Sequence, residues 1–142
     1  MKKLSLFIAI FLLLALGQGP AFAQAPQNLL LILDGSGSMW GRVEGKAKIS
    51  LAKNVLADLP PDTKAGLMSY GHRRKGDCKD IQTLSPLKPL DKRTLARLVK
   101  GISPKGKTPL TATVRQAVKE LRGVEESAAV ILVSDGLESC GG

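Results

Sequence analysis

The stretch Asn28-Leu29-Leu30-Leu31-Ile32-Leu33-Asp34 decides the fold class of this chain. Its five apolar residues follow one another without alternation, which is typical of a strand buried on both faces of a parallel sheet. Residues 128–133 repeat this pattern, and Ser134-Asp135-Gly136 comes directly after them. The sequence therefore predicts two central parallel strands, each followed at its carboxyl end by an aspartate and a glycine.

Three helices are predicted from apolar residues that recur at intervals of three and four. The first begins at Lys46 and is stopped by Pro60-Pro61. The second covers residues 91–101, and the third has Thr108 as its N-cap with Pro109 at the first helical position. The buried stripe of the third helix is expected to consist of Leu110, Val114, Ala117, Val118 and Leu121.

Two further strands complete the predicted sheet. Lys64–Tyr70 follows the first helix, and Asp80–Leu84 is a short edge strand that Pro86 and Pro89 are expected to end. Strands that alternate with helices predict a Rossmann-like, three-layer α/β fold with a mostly parallel sheet. Because the chain stops shortly after the fourth strand, we expect the domain at residues 24–142 to be incomplete at its C-terminus.

The first 23 residues have the features of a secretory signal peptide. Lys2-Lys3 is a positive n-region, Leu4–Leu16 is an uncharged apolar core, and Ala21-Phe22-Ala23 is a small-x-small cleavage site. The remaining chain has no apolar stretch near the 20 or so residues that a membrane span needs. We therefore expect an exported protein, periplasmic or secreted, with no membrane span after cleavage.

The composition after this cleavage excludes some functions. Only Trp40 and Tyr70 remain as aromatic residues, too few to form a base-stacking surface, so nucleic acid is not an expected partner. The full chain has 21 Lys and Arg against 12 Asp and Glu, a formal net charge of +9. This excess either attracts acidic polymers and anionic lipids or serves solubility alone.

Acidic and hydroxyl side chains follow both central strands. In Asp34-Gly35-Ser36-Gly37-Ser38, the three oxygen-bearing residues alternate with glycines that permit a tight turn. The carboxyl ends of parallel strands meet at one edge of a sheet, which brings Asp135 to the same place. Hard oxygen ligands suit Mg²⁺ or Mn²⁺, and two carboxylates leave a coordination position open for water or an incoming acid. Taken singly, each of these residues also fits an ordinary turn or helix cap.

These residues resemble the metal-ion-dependent adhesion site of the von Willebrand factor type A family. The family's Asp-x-Ser-x-Ser motif matches Asp34, Ser36 and Ser38, its separate threonine matches Thr108, and its later strand-end aspartate matches Asp135. The sequence around these residues is similar to that of a secreted bacterial branch of the family. The resemblance implies strand order 3-2-1-4-5-6, of which this chain reaches the fourth strand.

The same resemblance implies a function. The five matched residues would hold a divalent cation, Mg²⁺ with Mn²⁺ or Ca²⁺ as the other candidates, and the cation would hold an acidic side chain of a partner protein. The expected activity is adhesion or scaffolding. Because no nucleophile and base stand out together in the sequence, we do not expect an enzyme.

Two other functions are weighed against this one. Residues Gly101–Thr108 fit the phosphate-binding pattern Gly-x4-Gly-Lys-Thr of nucleotide hydrolases, but the helical segment before them replaces the strand that such a loop needs. The non-metal alternative is a polyanion-binding module using Arg73, Arg74, Lys75 and Lys79. In that region we expect His72, Arg73 and Arg74 to form a solvated loop.

The two cysteines and the tryptophan leave alternatives open. In an exported protein Cys78 and Cys140 either form a disulfide, which would close a long loop, or Cys140 pairs with a cysteine elsewhere. Trp40 follows the Ser-Gly-Ser turn directly. It either contacts a partner at the rim of the site or shields the turn.

Overall fold

A computed structural model describes residues 27–56 and 58–141, so the predicted signal peptide at 1–23 lies outside the described residues. No helix in the described part of the chain is long and apolar enough to span a membrane. The strands are β1 (Asn28–Asp34), β2 (Arg42–Val43), β3 (Lys46–Ala47), β4 (Lys64–Tyr70), β5 (Ile81–Pro89) and β6 (Ala128–Val133). The helices are α1 (Lys48–Ala52), α2 (Lys92–Lys100) and α3 (Leu110–Leu121), with 3-10 turns at Gly37–Trp40 and Lys53–Leu56.

The main sheet has the strand order β5-β4-β1-β6, and β2 and β3 form a separate hairpin. β1 is central and runs parallel to β4 on one side and to β6 on the other. β5 is antiparallel to β4 at the edge. The predicted α/β fold with a mostly parallel sheet is confirmed, and the carboxyl ends of β1, β4 and β6 lie along one edge.

The unbroken apolar run of β1 supplies both faces of the sheet, because successive side chains of a strand point to opposite sides. Leu29, Leu31 and Leu33 pack in one core with residues of α1 and α2, including Ile49 and Val99. The alternate residues of β1 pack in a second core with Ala117 of α3. The sheet is therefore the middle of three layers, with α1 and α2 on one side and α3 on the other.

The edge strand β5 departs from the prediction. It begins at Ile81 instead of Asp80 and continues through Pro86 to Pro89, so the two prolines do not end it. Pairing with β4 shifts register between Ala65 and Leu67 and again between Leu67 and Met68. An edge strand with such bulges accommodates proline, because a residue outside the regular ladder needs no amide hydrogen there.

The first predicted helix is also shorter than expected. Lys46 and Ala47 belong to the β2–β3 hairpin, whose turn residues Glu44 and Gly45 have φ angles of 49° and 78°. Two successive positive φ angles are typical of a two-residue hairpin turn. Only Lys48–Ala52 is α-helical, and a 3-10 turn follows before Pro60.

The third helix begins one residue later than predicted. Its first helical residue is Leu110 and its N-cap is Pro109, so Thr108 is not the N-cap. Within the helix, Val118 is 47% exposed instead of buried, whereas Thr113 is fully buried and its Oγ1 donates to the Pro109 carbonyl at 2.7 Å. Because its hydroxyl has a hydrogen-bond partner, Thr113 can occupy the buried face of α3 although it is polar. The late start leaves the Thr108 side chain free for the site described below.

Candidate metal centre

The five residues predicted to bind a metal lie together at the carboxyl edge of the sheet. Asp34 is the last residue of β1 and is fully buried, and Asp135 comes two residues after β6. Ser36 and Ser38 belong to the turn after β1, and Thr108 lies in the loop before α3, 5% exposed. Three separate segments of the chain thus contribute oxygen atoms to one place.

Gly136 shows how closely these oxygens converge. A Cβ atom placed on Gly136 would lie 3.4 Å from Thr108 Oγ1, 3.6 Å from Asp34 Oδ2 and 3.6 Å from Ser38 Oγ. Two hydroxyls and a carboxylate therefore surround one point beside a residue that has no side chain. In the described part of the chain, Thr108 Oγ1 makes no hydrogen bond, so its lone pairs are available at this point.

The fully buried Asp34 carboxylate is held by a hydrogen-bond chain that passes through the exposed Ser134. Oδ1 accepts from the Ser36 amide at 2.7 Å, and Oδ2 accepts from Ser134 Oγ at 2.6 Å. Tyr70 OH in turn donates to Ser134 Oγ at 3.1 Å. Burial raises the pKa of Tyr70 far above its ordinary value, and the Asp34 charge acts in the same direction, so Tyr70 remains a hydrogen-bond donor.

Sequence reasoning missed Tyr70 and Ser134. A usable signal existed in the strands themselves, because Tyr70 ends β4 as Asp34 ends β1, and the two residues are partners in the parallel ladder. Reading the site from strand register would therefore have placed the phenol beside the carboxylate.

A second chain of contacts ends on a lysine that the sequence analysis also missed. Ser36 Oγ lies 3.0 Å from Ser38 Oγ, and Ser38 Oγ donates to Asp135 Oδ1 at 2.8 Å. Lys48 Nζ forms an ion pair with the other oxygen of Asp135. Burial acts to raise the pKa of Asp135, but the hydrogen bonds from Lys48 and Ser38 and the Lys48 charge outweigh it. The pKa of Asp135 therefore lies below its ordinary value.

The donor set fits a hard cation. Its atoms are carboxylate and hydroxyl oxygens, which suit Mg²⁺ and Ca²⁺. Zinc favours nitrogen and sulfur ligands, and the described residues contain no group of three or more His, Cys, Asp or Glu that could hold a metal by themselves. Two carboxylates and three hydroxyls leave room for water or an external oxygen in a six-ligand shell.

Comparison with known proteins identifies the domain. The family model of the von Willebrand factor type A domain matches residues 29–138. The chain belongs to this family. The Bacillus subtilis (strain 168) protein named "Uncharacterized protein YwmD" is 31% identical over 158 aligned positions, which cover 100% of this chain and 70% of that protein.

Solved structures share the fold of this von Willebrand factor type A domain. The vWF domain of the type V pili tip protein Mfa5 from Porphyromonas gingivalis has a TM-score of 0.58 at 20% identity, over 78% of this chain and 38% of that one. The pilus adhesin SpaC from Lactobacillus rhamnosus GG has a TM-score of 0.60 at 22% identity, over 83% and 16% of the respective chains. This chain thus spans well under half the length of either solved structure.

Backbone hydrogen bonds join the loops on one side of the site of this von Willebrand factor type A domain. We call these loops, residues 34–38, 71–74 and 104–108, the inner wall. Gly106 N donates to the Gly71 carbonyl at 2.7 Å, Gly35 N to Tyr70 O at 2.8 Å and Lys105 N to Gly35 O at 3.0 Å. Gly71 has φ +63°, and a Cβ there would collide with the Lys107 carbonyl and lie 3.2 Å from Ser36. The tight packing makes the inner wall a single rigid unit.

The loop after β6, residues 134–141, forms the opposite side, which we call the outer wall. Side chains hold most of it: Thr108 N donates to Ser139 Oγ at 2.8 Å, and Thr111 N donates to Glu138 Oε2 at 2.8 Å. The second contact supplies a carboxylate at the first turn of α3, where free amides favour negative charge. Cys140 forms a disulfide with Cys78, so the structure joins the outer wall to the loop after β4.

The loop after β4 differs from the solvated loop that the sequence predicted. His72 is only 9% exposed, with Nε2 3.1 Å from Gln82 Oε1. Arg73 and Arg74 are exposed, but both backbone amides donate to the fully buried Asp80 carboxylate, at 2.7 and 2.9 Å. Burial acts to raise the pKa of Asp80, but these hydrogen bonds and the Arg73 charge lower it overall. Asp80 therefore organises the loop from within.

The phosphate-loop pattern at Gly101–Thr108 lacks the required setting. Helix α2 precedes it where such a loop needs a strand, and Pro109 separates it from α3. Its residues serve the inner wall instead, since Ser36 and Gly106 form an isolated parallel bridge. Trp40 donates from Nε1 to the Pro104 carbonyl at 2.7 Å while 58% of the residue stays exposed.

Proposed function

We propose that this domain is an exported binding module that holds Mg²⁺ at Asp34, Ser36, Ser38, Thr108 and Asp135. In this proposal the bound cation takes one carboxylate of a partner protein as a further ligand, and the domain serves adhesion or scaffolding without catalysis. Mn²⁺ and Ca²⁺ are the other candidate ions, since both accept the same hard oxygen ligands.

The observation that carries the proposal is the convergence of oxygens around Gly136. Thr108 Oγ1, Asp34 Oδ2 and Ser38 Oγ come from three segments and lie 3.4, 3.6 and 3.6 Å from a point that a Cβ would occupy. A turn or a helix cap would explain any one of these residues. It would not explain why a threonine hydroxyl that makes no hydrogen bond within the described residues lies near the same point as a buried carboxylate.

The protein-binding part of the proposal is supported by the similar structures. One of them is a domain of a pilus tip protein and the other is a pilus adhesin. The predicted signal peptide is consistent with export. A cation with an open position at the edge of the sheet would give such a domain a specific contact for an acidic side chain.

Thr108→Val tests the metal site with little risk to the fold. Valine keeps the shape of threonine, and the lost hydroxyl makes no hydrogen bond in the described structure. We expect the wild-type protein to bind Mg²⁺ in isothermal titration calorimetry and to gain about 2.7 kcal/mol of stability at 100 times the dissociation constant. Thr108→Val and Asp34→Asn should both lose this gain.

Asp77→Asn is the matched control, because Asp77 pairs with Arg74 in the loop after β4 and lies outside the donor set. It should keep the full response to Mg²⁺. A wild-type protein that is folded by circular dichroism but does not respond to Mg²⁺, Mn²⁺ or Ca²⁺ would overturn the proposal. Equal responses of wild type and Thr108→Val would do the same.

A further inference from the structure

Two loops beside the site carry an excess of positive charge. Residues 71–80 and 103–107 contain six Lys and Arg and two Asp. Both acids are already engaged, since Asp80 pairs with Arg73 and Asp77 pairs with Arg74. The lysines of these loops are all exposed, and within the described residues none has an ion pair. We call them the basic rim: Lys75, Lys79, Lys105 and Lys107.

The structure thus changes which residues are available to bind an anion. Arg73 and Arg74, which the sequence predicts for polyanion binding, each already have a carboxylate partner. Lys105 and Lys107 come from the other loop and were not named. The lysines without an ion pair in the described residues therefore lie on two loops on one side of the donor set instead of in one basic run.

The basic rim is built on the rigid side of the site. Lys105 N donates to the carbonyls of Gly35 and Gly71, and Lys107 directly precedes Thr108. The carbonyl of Arg74, next to Lys75, lies 2.7 Å from a Cβ placed on Gly106. Because these backbones are fixed, the lysines lose less freedom when a ligand binds than they would on a mobile loop.

Exposed apolar side chains lie at the same end of the sheet. Trp40, 58% exposed, is anchored through its Nε1 to the Pro104 carbonyl, next to Lys105. Leu137 in the outer wall is 90% exposed. An oriented, exposed tryptophan is a frequent centre of binding energy in protein interfaces. Basic and apolar side chains that are exposed together favour a polypeptide, which carries acidic and apolar groups side by side, over a polyphosphate, which offers charge alone.

We infer that the basic rim and Trp40 form a docking surface for an acidic polypeptide segment with several neighbouring carboxylates. The inference rests on the proposed function for one contact only, the carboxylate that reaches the metal. The other carboxylates of the segment lie over the basic rim, and an apolar residue of the segment contacts Trp40. The domain thus selects clustered acids over an isolated one.

The test compares two synthetic peptides of equal length in a Gly-Ser background, one with a single central Asp and one with that Asp and four neighbouring Asp residues. Binding is measured by fluorescence anisotropy in low salt with Mg²⁺. The protein should bind the five-Asp peptide more tightly. The triple variant Lys75→Gln, Lys79→Gln, Lys105→Gln should bind it about tenfold more weakly, as expected for three exposed ion pairs, and should bind the one-Asp peptide unchanged.

A matched triple variant removes equal charge away from the site. Lys88, Arg93 and Lys119 are exposed. In the strand register, Lys88 of β5 lies opposite Ala65 near the amino end of β4, at the end of the sheet away from the donor set. The change of these three basic residues to Gln should leave both peptides nearly unaffected. In addition, 0.5 M salt should abolish the tighter binding of the five-Asp peptide over the one-Asp peptide. The Trp40→Ala variant should bind a five-Asp peptide that also carries one Leu more weakly than the wild-type protein does.

Two results would overturn the inference: equal losses in the rim and control variants, or tighter binding of a sulfated polysaccharide than of the five-Asp peptide. Repeating the titrations with EDTA separates this inference from the proposed function. One outcome is that EDTA leaves the affinity for the five-Asp peptide unchanged while the rim variant still binds that peptide more weakly. That result would contradict the proposed metal function and support the basic rim as the binding site for acidic peptides.

Discussion

The inner and outer walls each contribute one carboxylate to the donor set, but they hold it by different means. Asp34 in the inner wall is fully buried and belongs to a strand with pairing partners on both sides. Asp135 in the outer wall lies beyond the end of β6, and its carboxylate is held by the side chains of Ser38 and Lys48. One half of the site is thus preorganised by backbone packing, whereas the other half depends mostly on side chains, one disulfide and a single backbone hydrogen bond from Ser139 N to Thr108 O at 3.1 Å.

The comparison has a physical lesson for binding. A rigid inner wall would supply a fixed set of ligands at low entropic cost. An outer wall held by side chains can adjust as the ligands of a site change, because exposed hydrogen bonds and ion pairs are individually weak. The predictions below test whether the two walls respond differently when each is perturbed.

Loss of the disulfide should have the largest effect. Cys78 and Cys140 are separated by 62 residues, and in the chain-entropy model a loop of this size is worth about 4 kcal/mol. The double variant Cys78→Ser, Cys140→Ser should lose about that much unfolding free energy in urea titrations. In conditions where it stays folded it should also bind Mg²⁺ more weakly, because the outer wall is no longer tied to the loop after β4. A variant with unchanged stability would show that the hydrogen bonds and the Lys48 ion pair hold the outer wall without the disulfide.

Alanine at two glycines separates packing from site chemistry. Gly71→Ala places a Cβ against the Lys107 carbonyl at φ +63°, so we expect a loss of about 2–3 kcal/mol. Gly136→Ala finds ordinary contact distances of 3.4–3.6 Å and should cost less than about 0.5 kcal/mol. Its methyl group would nevertheless fill the point where the oxygens converge, so Mg²⁺ binding should be lost.

Chemical denaturation and calorimetry on both glycine variants check this pair of outcomes. Wild-type Mg²⁺ affinity in Gly136→Ala would contradict the assigned position of the ion. A fully stable Gly71→Ala would contradict the rigidity of the inner wall.

Lys48→Met should have a moderate effect on affinity and a small one on stability. Lys48 pairs with Asp135 and adds a positive charge next to the donor set. Removing this charge frees the carboxylate and should tighten Mg²⁺ binding about fivefold, the equivalent of one surface ion pair. Titration calorimetry measures the Mg²⁺ affinity of this variant. Lys64→Met is the control, because Lys64 forms a comparable ion pair with Glu126 far from the site. Weaker binding in Lys48→Met would mean that the lysine positions Asp135 instead of competing for it.

The pH dependence of the inner wall should be the smallest effect. Burial lowers the pKa of His72, the Arg73 and Lys105 charges act in the same direction, and Asp80 and Gln82 oppose them. The unfolded chain therefore takes up the proton first as the pH falls. The contribution of His72 to stability is complete above the unfolded pKa of about 6.5 and is lost as the pH falls from there through the folded pKa.

Urea titrations between pH 7.5 and 5 measure this dependence, and His72→Gln should flatten the slope by less than about 1 kcal/mol per pH unit. An identical slope in the variant would show that other groups control the acid response of this loop.

Much of the sheet could be predicted because its signals are local. The apolar runs at 28–34 and 128–133 and the bounds of Lys64–Tyr70 agree with the structure to the residue. The bounds that were wrong depend on contacts elsewhere. β5 continues through Pro86 because a bulge opposite Ala65–Leu67 makes room for it, and α3 starts after Pro109 because Thr108 bonds to Ser139 in the outer wall.

The sequence by itself determined the family, the parallel sheet and the group Asp34, Ser36, Ser38, Thr108 and Asp135 as one predicted donor set. Strand periodicity and motif spacing are properties of residues that are close in sequence, so they can be recognised without knowledge of the fold. Only folding brings Tyr70 and Ser134 to Asp34, pairs Lys48 with Asp135, and places the basic rim on two neighbouring loops beside the donor set. These three contacts join residues 64 to 100 positions apart, and only strand register and loop packing bring such residues within hydrogen-bond distance.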